Sequence, residues 1–567
     1  MSGINPTWRV RLLSLFVVCL TVLLVVRLFF LQIIQNSYYA DKADRQYQRP
    51  QNSLPNRGTI FFKQQDGGLV SGATMRDGFL VAINPSKLKD AEVVYQKLTE
   101  LFPIERESFF KKAGKTTDPY EEIATRLDES TAKKIQSLSW DGLGVYKTRW
   151  RFYPAGKTAA QVLGLVNYDG DGTYGLEKYY NAILSQKEEK TFVSFLAQVL
   201  SDFGGSVTGG DDKTEADLVL SLEPTVQNTL ETELSGVREK WGAELAGGVV
   251  LDPATGAVIA LGATPGFDPN AKQTTLEHLA NPLVERTYEL GSTFKPLTMA
   301  AALDAGVVTA KTVYDDKGTL ELNGQTIGNY DRRARGVVPM QEVLNQSLNT
   351  GAVFAMQKLG RNRFRDYMIN YGLTEKTGID LPNEVIGLNN NLNSSRDIEY
   401  ATVAFGQGIT VTPIQMARAL AVLGNGGKLV KPYIVSEVRH RNSKITTEIK
   451  PEITRQVIKP ETSKEITRML VEVVDSALVG GKYKMAQYRV AAKTGTAQQA
   501  RVNGAGYDPD RFLHSFFGYF PASNPRFLVL FYLVNPRGAR YASDTLTEPF
   551  MSLTKFLLNY YHVPPDR

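Results

Sequence analysis

Residues 289–303 read ELGSTFKPLTMAAAL, with Ser292 and Lys295 three places apart between Gly291 and Pro296. Proline is best tolerated in the first turn of a helix, where its missing N–H costs nothing, so Pro296 predicts a helix beginning only a few residues earlier. Ser292 and Lys295 then share a face at the helix start, which brings the amine within reach of the hydroxyl and of the free N–H groups of the first turn. A serine with a base beside it is a candidate nucleophile. Composition alone supplies further copies of the pattern at Ser86/Lys89, Ser108/Lys111, Ser130/Lys133 and Ser552/Lys555, so context has to select among them.

Two later segments supply that context. QSLNTGAVFAMQKLG at 346–360 places Ser347 and Asn349 two apart at a helix or loop edge, and YRVAAKTGTAQ at 488–498 alternates apolar residues as a strand does before Lys493, Thr494, Gly495 and Thr496. A second Lys-Thr-Gly at 376–378 lies in YGLTEKTGID, which has no strand-like run before it and reads as a loop. Of the five serine–lysine pairs, only Ser292 is followed by an apolar helical stretch and precedes both other elements.

The elements that must position these residues come from the rest of the chain. At 567 residues the protein is too long for one core and divides into several domains. LLSLFVVCLTVLLVVRLFFLQII at 12–34 is long enough to cross a bilayer, interrupted only by Arg27, and no small-residue cleavage site stands out. The segment is expected to be a retained membrane anchor behind a short cytoplasmic tail at 1–11. Arg27 either snorkels or faces a partner helix. Cys19, the only cysteine, lies inside this span, which suits an exported domain without disulfides.

Residues 35–202 mix short alternating stretches such as GFLVAINP with polar helices and are expected to form an α+β pedestal. Glycine and charge in FGGSVTGGDDKTEAD mark a linker at 203–217. TFVSFLAQVL at 191–200 reads as a buried helix in preference to an amphipathic surface one. From 218 to 567, strands such as GGVVLDPATGAVIALGA and FLVLFYLV flank helices, predicting a mixed α/β domain on an antiparallel sheet. The net charge of +6 comes without a basic run bearing interleaved aromatics, so nucleic acid is not an expected partner. His278, His440, His514 and His562 are far apart in sequence and imply no metal; no cofactor is expected.

Ser-x-x-Lys, Ser-x-Asn and Lys-Thr-Gly in this order form the signature of the penicilloyl-serine transferases. RFYPAGKTAAQVLGLV, GTYGLEKYY, GGVVLDPATGAVIAL, FGQGITVTPIQMARALAVLGNGG and HSFFGYFPASNP extend the likeness over almost the whole chain, which resembles the class B penicillin-binding proteins. It is most similar to the division-type D,D-transpeptidases that cross-link septal peptidoglycan, and NYYHVPPD near the end fits that branch. Leu290 stands where the family usually has proline, Leu348 where it often has serine, and FFKQQDG replaces an Asp-Arg-containing stretch after Arg57-Gly58. None of these departures removes a catalytic side chain.

The resemblance implies a serine β-lactamase-like catalytic domain and a role for each motif residue. Ser292 is the nucleophile and Lys295 its proton acceptor, kept neutral by burial or by the charge of Lys493. Ser347 relays a proton to the departing amine, and Asn349 pairs with the substrate's peptide backbone. The N–H groups of Ser292 and Thr496 form the oxyanion hole. Lys493 and Thr494 hold the terminal carboxylate of a D-alanyl-D-alanine stem peptide, and Gly495 lets the substrate approach the strand edge. β-Lactams mimic that end and trap Ser292. The implied partners are peptidoglycan stem peptides, β-lactam antibiotics, the cytoplasmic membrane and a multi-spanning glycan polymerase that meets the anchor and pedestal. Competing readings are a side-wall transpeptidase, a β-lactamase or β-lactam sensor, and a non-catalytic division scaffold. A β-lactamase needs no long pedestal, and a scaffold has no reason to keep three catalytic elements.

Overall fold

A computed structural model describes residues 6–30, 54, 56–185, 215–271, 278–441, 445–501 and 506–567. The segment expected as a buried helix at 191–200 and most of the expected linker lie outside the described residues. The first described element is a 24-residue helix, Pro6–Phe29, with apolar side chains such as Leu15 and Phe16 exposed. Among the described residues no helix is long and apolar enough to cross a membrane. The second part of the expected span, 31–34, is not among them.

The chain forms two compact units, Met1–Leu54 with Arg76–Trp150, and Pro55–Met75 with Arg151–Arg567. The smaller has the expected α+β character. Leu69–Ile83 pairs antiparallel with Glu121–Leu127 from Phe79 to Ile83. Helices Ala91–Thr99 and Glu129–Ser137 start where the sequence offers a capping carboxylate: Asp90 accepts from the N–H groups of Glu92 and Val93, and Asp128 from that of Thr131. Val81, Ile83, Leu98, Phe109 and Ile135 form its core.

The larger unit takes in more of the chain than the sequence division at 203–217 suggests, and strand pairing explains why. Ile60–Lys63 runs parallel to Ala216–Leu220, which in turn pairs antiparallel with Val435–His440. Residues from before and after the expected linker therefore share one sheet. Buried charges fasten the same region: Arg57 Nε and Arg151 Nε donate to the two oxygens of Glu177 at 2.5 and 2.6 Å, and all three side chains are inaccessible. Arg57 also donates to the carbonyl oxygens of Gly170 and Glu177. A buried carboxylate shared by two guanidinium groups is satisfied only while all three stay in place.

The second sheet of this unit has five strands, all antiparallel: β1 (Leu245–Leu251), β2 (Val258–Thr264), β3 (Ala491–Ala500), β4 (Tyr507–Phe520) and β5 (Phe527–Val534), in the order β3-β4-β5-β1-β2. In FLVLFYLV, Phe527, Val529, Phe531 and Leu533 enter one core while Leu528, Leu530 and Tyr532 enter another. The run is continuously apolar because both faces are covered. On one side lie helices α1 (Pro224–Lys240) and α5 (Ala542–Tyr560), contributing Leu230, Leu234, Phe550 and Leu557. On the other lie α2 (Lys295–Asp304), α3 (Asn349–Leu359) and α4 (Pro413–Gly424), with Met299, Val353 and Leu420. β3 is an edge strand, and the candidate residues gather along it.

Candidate active site

Ser292 lies in a single 3₁₀ turn, Gly291–Phe294, that feeds directly into α2 with Lys295 as its first residue and Pro296 in the first turn. The turn is tied down from below. Gly291, at φ +58°, donates its N–H to the carbonyl of Gly406 at 3.1 Å, and the hydroxyls of Thr293 and Ser515 both donate to the carbonyl of Leu290. A Cβ on Gly495 would lie 2.6 Å from the Leu290 oxygen and 2.9 Å from the Thr293 nitrogen. The missing side chain of Gly495 thus faces the turn that carries Ser292, whereas Thr494 and Thr496 on the opposite face of β3 line a cleft. The absence of a side chain at Gly495 is what lets the turn approach the strand this closely.

That cleft, about 870 Å³, is lined by Ser292, Ser347, Asn349, Thr494 and Thr496 among others. Two lysines meet beneath it. Lys295 is 1% exposed, and its Nζ donates to Ser347 O at 2.5 Å and Ser347 Oγ at 3.2 Å. Lys493 is 3% exposed and donates to the same Oγ at 3.0 Å and to Thr494 O at 3.0 Å. Ser347 Oγ therefore sits between two amines, held there by a backbone in the left-handed region, φ +57°. Lys295 does not hydrogen-bond Ser292; its amine is directed to Ser347 instead.

Burial drives both lysines toward the neutral amine. Lys295 is held well below the usual lysine value, first by desolvation and then by the charge of Lys493. Desolvation alone takes Lys493 down to about 7. Two ammonium groups sharing one serine in a buried site repel, which disfavours both being charged at once.

Asn349 opens α3 and donates from Nδ2 to Gly328 O at 2.7 Å. The start of α3 is fixed by a buried trio that sequence reasoning missed. Asn329 Nδ2 donates to both Asp316 carboxylate oxygens at 3.0 Å, Thr350 Oγ1 donates to Asp316 Oδ1 at 2.8 Å, and Thr350 N donates to Asn329 Oδ1 at 3.2 Å. Glu289 was missed as well. It accepts from Gly408 N at 2.8 Å and from the Tyr507 hydroxyl at 3.1 Å, while its Oε2 is buried without a partner. Desolvation pushes its carboxyl upward. A charged residue three places before Ser292 was the available signal.

The rival motifs are not part of this constellation. Lys133 pairs with Glu129, and the Ser552 hydroxyl donates to Glu233. Thr377 of the second Lys-Thr-Gly is buried against Glu384, which accepts from both its N–H and its hydroxyl. His514, pushed down to about 4 by burial, hydrogen-bonds Thr545 Oγ1 across 2.9 Å.

Comparisons with known proteins identify the family. The penicillin binding protein transpeptidase domain matches residues 246–553, and the penicillin-binding protein dimerisation domain matches 52–199. Stage V sporulation protein D of Bacillus subtilis is 31% identical over 560 residues, covering 96% of this chain and 85% of that protein. Peptidoglycan D,D-transpeptidase FtsI of Buchnera aphidicola subsp. Schizaphis graminum is 25% identical over 571 residues, covering 99% of this chain and 96% of that one. In fold, the chain is similar to penicillin binding protein 3 of Mycobacterium tuberculosis, crystallised in complex with aztreonam, with a TM-score of 0.68 at 23% identity over 91% of this chain and 98% of that one. The chain belongs to the class B penicillin-binding proteins, with a dimerisation domain before a transpeptidase domain, and is a serine acyl-transfer enzyme.

Proposed function

We propose that this chain is a peptidoglycan D,D-transpeptidase that cross-links stem peptides at the division septum. The observation that carries the reading is the meeting of Ser347 Oγ with the two buried amines of Lys295 and Lys493 under the cleft that Ser292 lines. Ser292 Oγ attacks the carbonyl of the penultimate D-alanine, and its proton passes to neutral Lys295. The N–H groups of Ser292 and Thr496 hold the oxyanion, and Asn349 aligns the peptide backbone. When the C–N bond breaks, Ser347 hands a proton to the leaving nitrogen and D-alanine departs. The amine of a second stem peptide then attacks the acyl-serine, re-forming an amide and freeing Ser292. Lys493 and Thr494 hold the terminal carboxylate. A β-lactam follows the first half of this path and remains on Ser292 because its leaving group stays tethered.

The domain assignment follows the same reading: a cytoplasmic tail at 1–11, an anchor at 12–34, a pedestal at 35–202 and a catalytic domain at 218–567 outside the cytoplasm. Exposed leucine, valine and phenylalanine side chains along Pro6–Phe29 support the anchor. Pedestal and anchor receive a multi-spanning glycan polymerase. A septal role is supported by relatives named FtsI, while the sporulation name of the Bacillus relative favours a stage-specific wall layer as the second reading.

The test is the full-length protein in detergent with a pentapeptide ending in D-alanyl-D-alanine and an amine acceptor. Wild type releases D-alanine and forms the cross-linked product, and Ser292→Ala does neither. Rapid catalytic hydrolysis of penicillin without peptide transfer would favour the β-lactamase reading. A tagged copy confined to the side wall would remove the septal one.

A further inference from the structure

The cleft beside Ser292 has a one-sided charge. Among the described residues, no aspartate or glutamate lines it, and its formally charged lining groups are Arg332 and Arg540. Among the described residues neither guanidinium pairs with a carboxylate. Arg540 lies over the ring of Tyr541 at 5.8 Å, and Tyr541 meets Tyr330 edge-on at 5.8 Å. The neighbouring Arg335 shows the contrast: it also stacks on Tyr330, at 5.6 Å, but its charge is matched by Asp331 at 2.7 Å. Acids close to the cleft are engaged elsewhere, Glu289 with Gly408 and Tyr507, and Asp316 with Asn329 and Thr350.

A cleft walled by one sign of charge focuses field on whatever enters it, and a guanidinium matches a carboxylate in shape as well as in charge. In the transpeptidase reading, Lys493 and Thr494 account for one carboxylate, the terminal one. That reading assigns no role to Arg332 and Arg540. Resting on that reading, we propose that Arg332 and Arg540 form a second anion subsite that recognises a free carboxylate of a stem peptide upstream of its D-alanyl end. Arg540 is exposed and lies 5.8 Å from the centroid of the Tyr541 ring, a contact that steadies the planar guanidinium at the cleft wall while leaving its N–H groups open to an anion. The carboxylate belongs either to the donor peptide or to the acceptor peptide, since both must enter this cleft.

Two synthetic acyl donors test the subsite. They share a D-alanyl-D-lactate end and differ only in whether the preceding residue bears a side-chain carboxylate or the corresponding carboxamide. With full-length protein, kcat/KM for the carboxylate donor exceeds that for the carboxamide by about tenfold, the range of one charge-assisted contact, and the ratio shrinks as salt is raised. In the double variant Arg332→Gln, Arg540→Gln the ratio falls to near one, and Arg540→Lys retains part of it. The ratio is internal to each preparation, so partial misfolding does not mimic the result. A second arm compares amine acceptors bearing the carboxylate or the carboxamide. A preference confined to that arm and lost in the double variant supports the subsite and puts its ligand on the acceptor. Equal rates in both arms, or a preference that survives the double substitution, overturn the proposal alone. Absence of turnover together with absence of a penicillin adduct on Ser292 overturns the transpeptidase reading and the subsite with it.

Discussion

Lys376-Thr377-Gly378 and Lys493-Thr494-Gly495 are the same three residues in opposite surroundings. In the first, Lys376 is exposed, Thr377 is buried with its N–H and hydroxyl both given to Glu384, and Gly378 turns the chain at φ +74°. In the second, Lys493 is buried, Thr494 lines the cleft, and Gly495 presses an extended edge strand against the turn that carries Ser292. The first triplet directs its polar groups inward to finish a loop. The second buries its amine, which brings it down to about 7, and leaves its threonine facing the cleft. Burial and strand position, not residue identity, set apart the amine of Lys493 from that of Lys376.

Several substitutions sharpen or break this contrast. The largest effect belongs to Lys493→Ala, expected to slow penicillin acylation at least ~100-fold in stopped-flow measurements, as loss of a preorganised charge in an active site does. Lys376→Ala stays within about twofold. Equal effects would erase the distinction. Next comes Gly495→Ala, whose Cβ would meet Ser515 Oγ at 2.4 Å and the Leu290 oxygen at 2.6 Å. The turn must move, so acylation falls about tenfold and the folded state loses roughly 1–3 kcal/mol. Gly378→Ala meets only the Lys431 side chain, at 3.3 Å, and costs about 1 kcal/mol through its positive φ, with acylation intact.

The threonines separate stability from chemistry. Thr377→Val strips a hydroxyl donor from buried Glu384 and lowers unfolding free energy by roughly 1–3 kcal/mol in denaturant titrations, with unaltered acylation. Thr494→Val does the reverse, lowering the acylation rate severalfold with little change in the denaturation midpoint. The smallest effect is a pH trend. The folded value of Lys493, about 7, lies below the ordinary lysine value of 10.5. Between those two values the unfolded chain binds more protons, so Lys493 penalises the fold fully below about 7 and ceases to do so above 10.5. Lys493→Met therefore raises the melting temperature by a few degrees at neutral and lower pH, with the gain fading as pH rises. A gain that grows with pH contradicts the assignment.

Much of this was legible along the chain. Alternation before Lys493 announced a strand, Pro296 announced the start of α2, and the order of the three motifs selected Ser292 over Ser86, Ser108, Ser130 and Ser552. Less visible were facts that depend on long-range pairing. Periodicity could not say that Ile60–Lys63 would lie beside Ala216–Leu220 and carry the larger unit back before the expected linker. Nor could it show that Gly495 packs on Leu290, or that Lys295 turns to Ser347 instead of Ser292, since each contact joins segments 50 or more residues apart or depends on rotamer choice. Asp316 and Asn329 belong to short strands and turns without strong patterning, and only their burial beside Thr350 marks them.

The central claim is that Ser292 is the residue acylated, and intact-protein mass spectrometry of full-length protein incubated with benzylpenicillin tests it most directly. The account predicts one adduct per chain, mapped by proteolysis to the peptide containing Ser292 and absent from Ser292→Ala. An adduct that persists in that variant, or maps to Ser86, Ser108, Ser130 or Ser552, would contradict it.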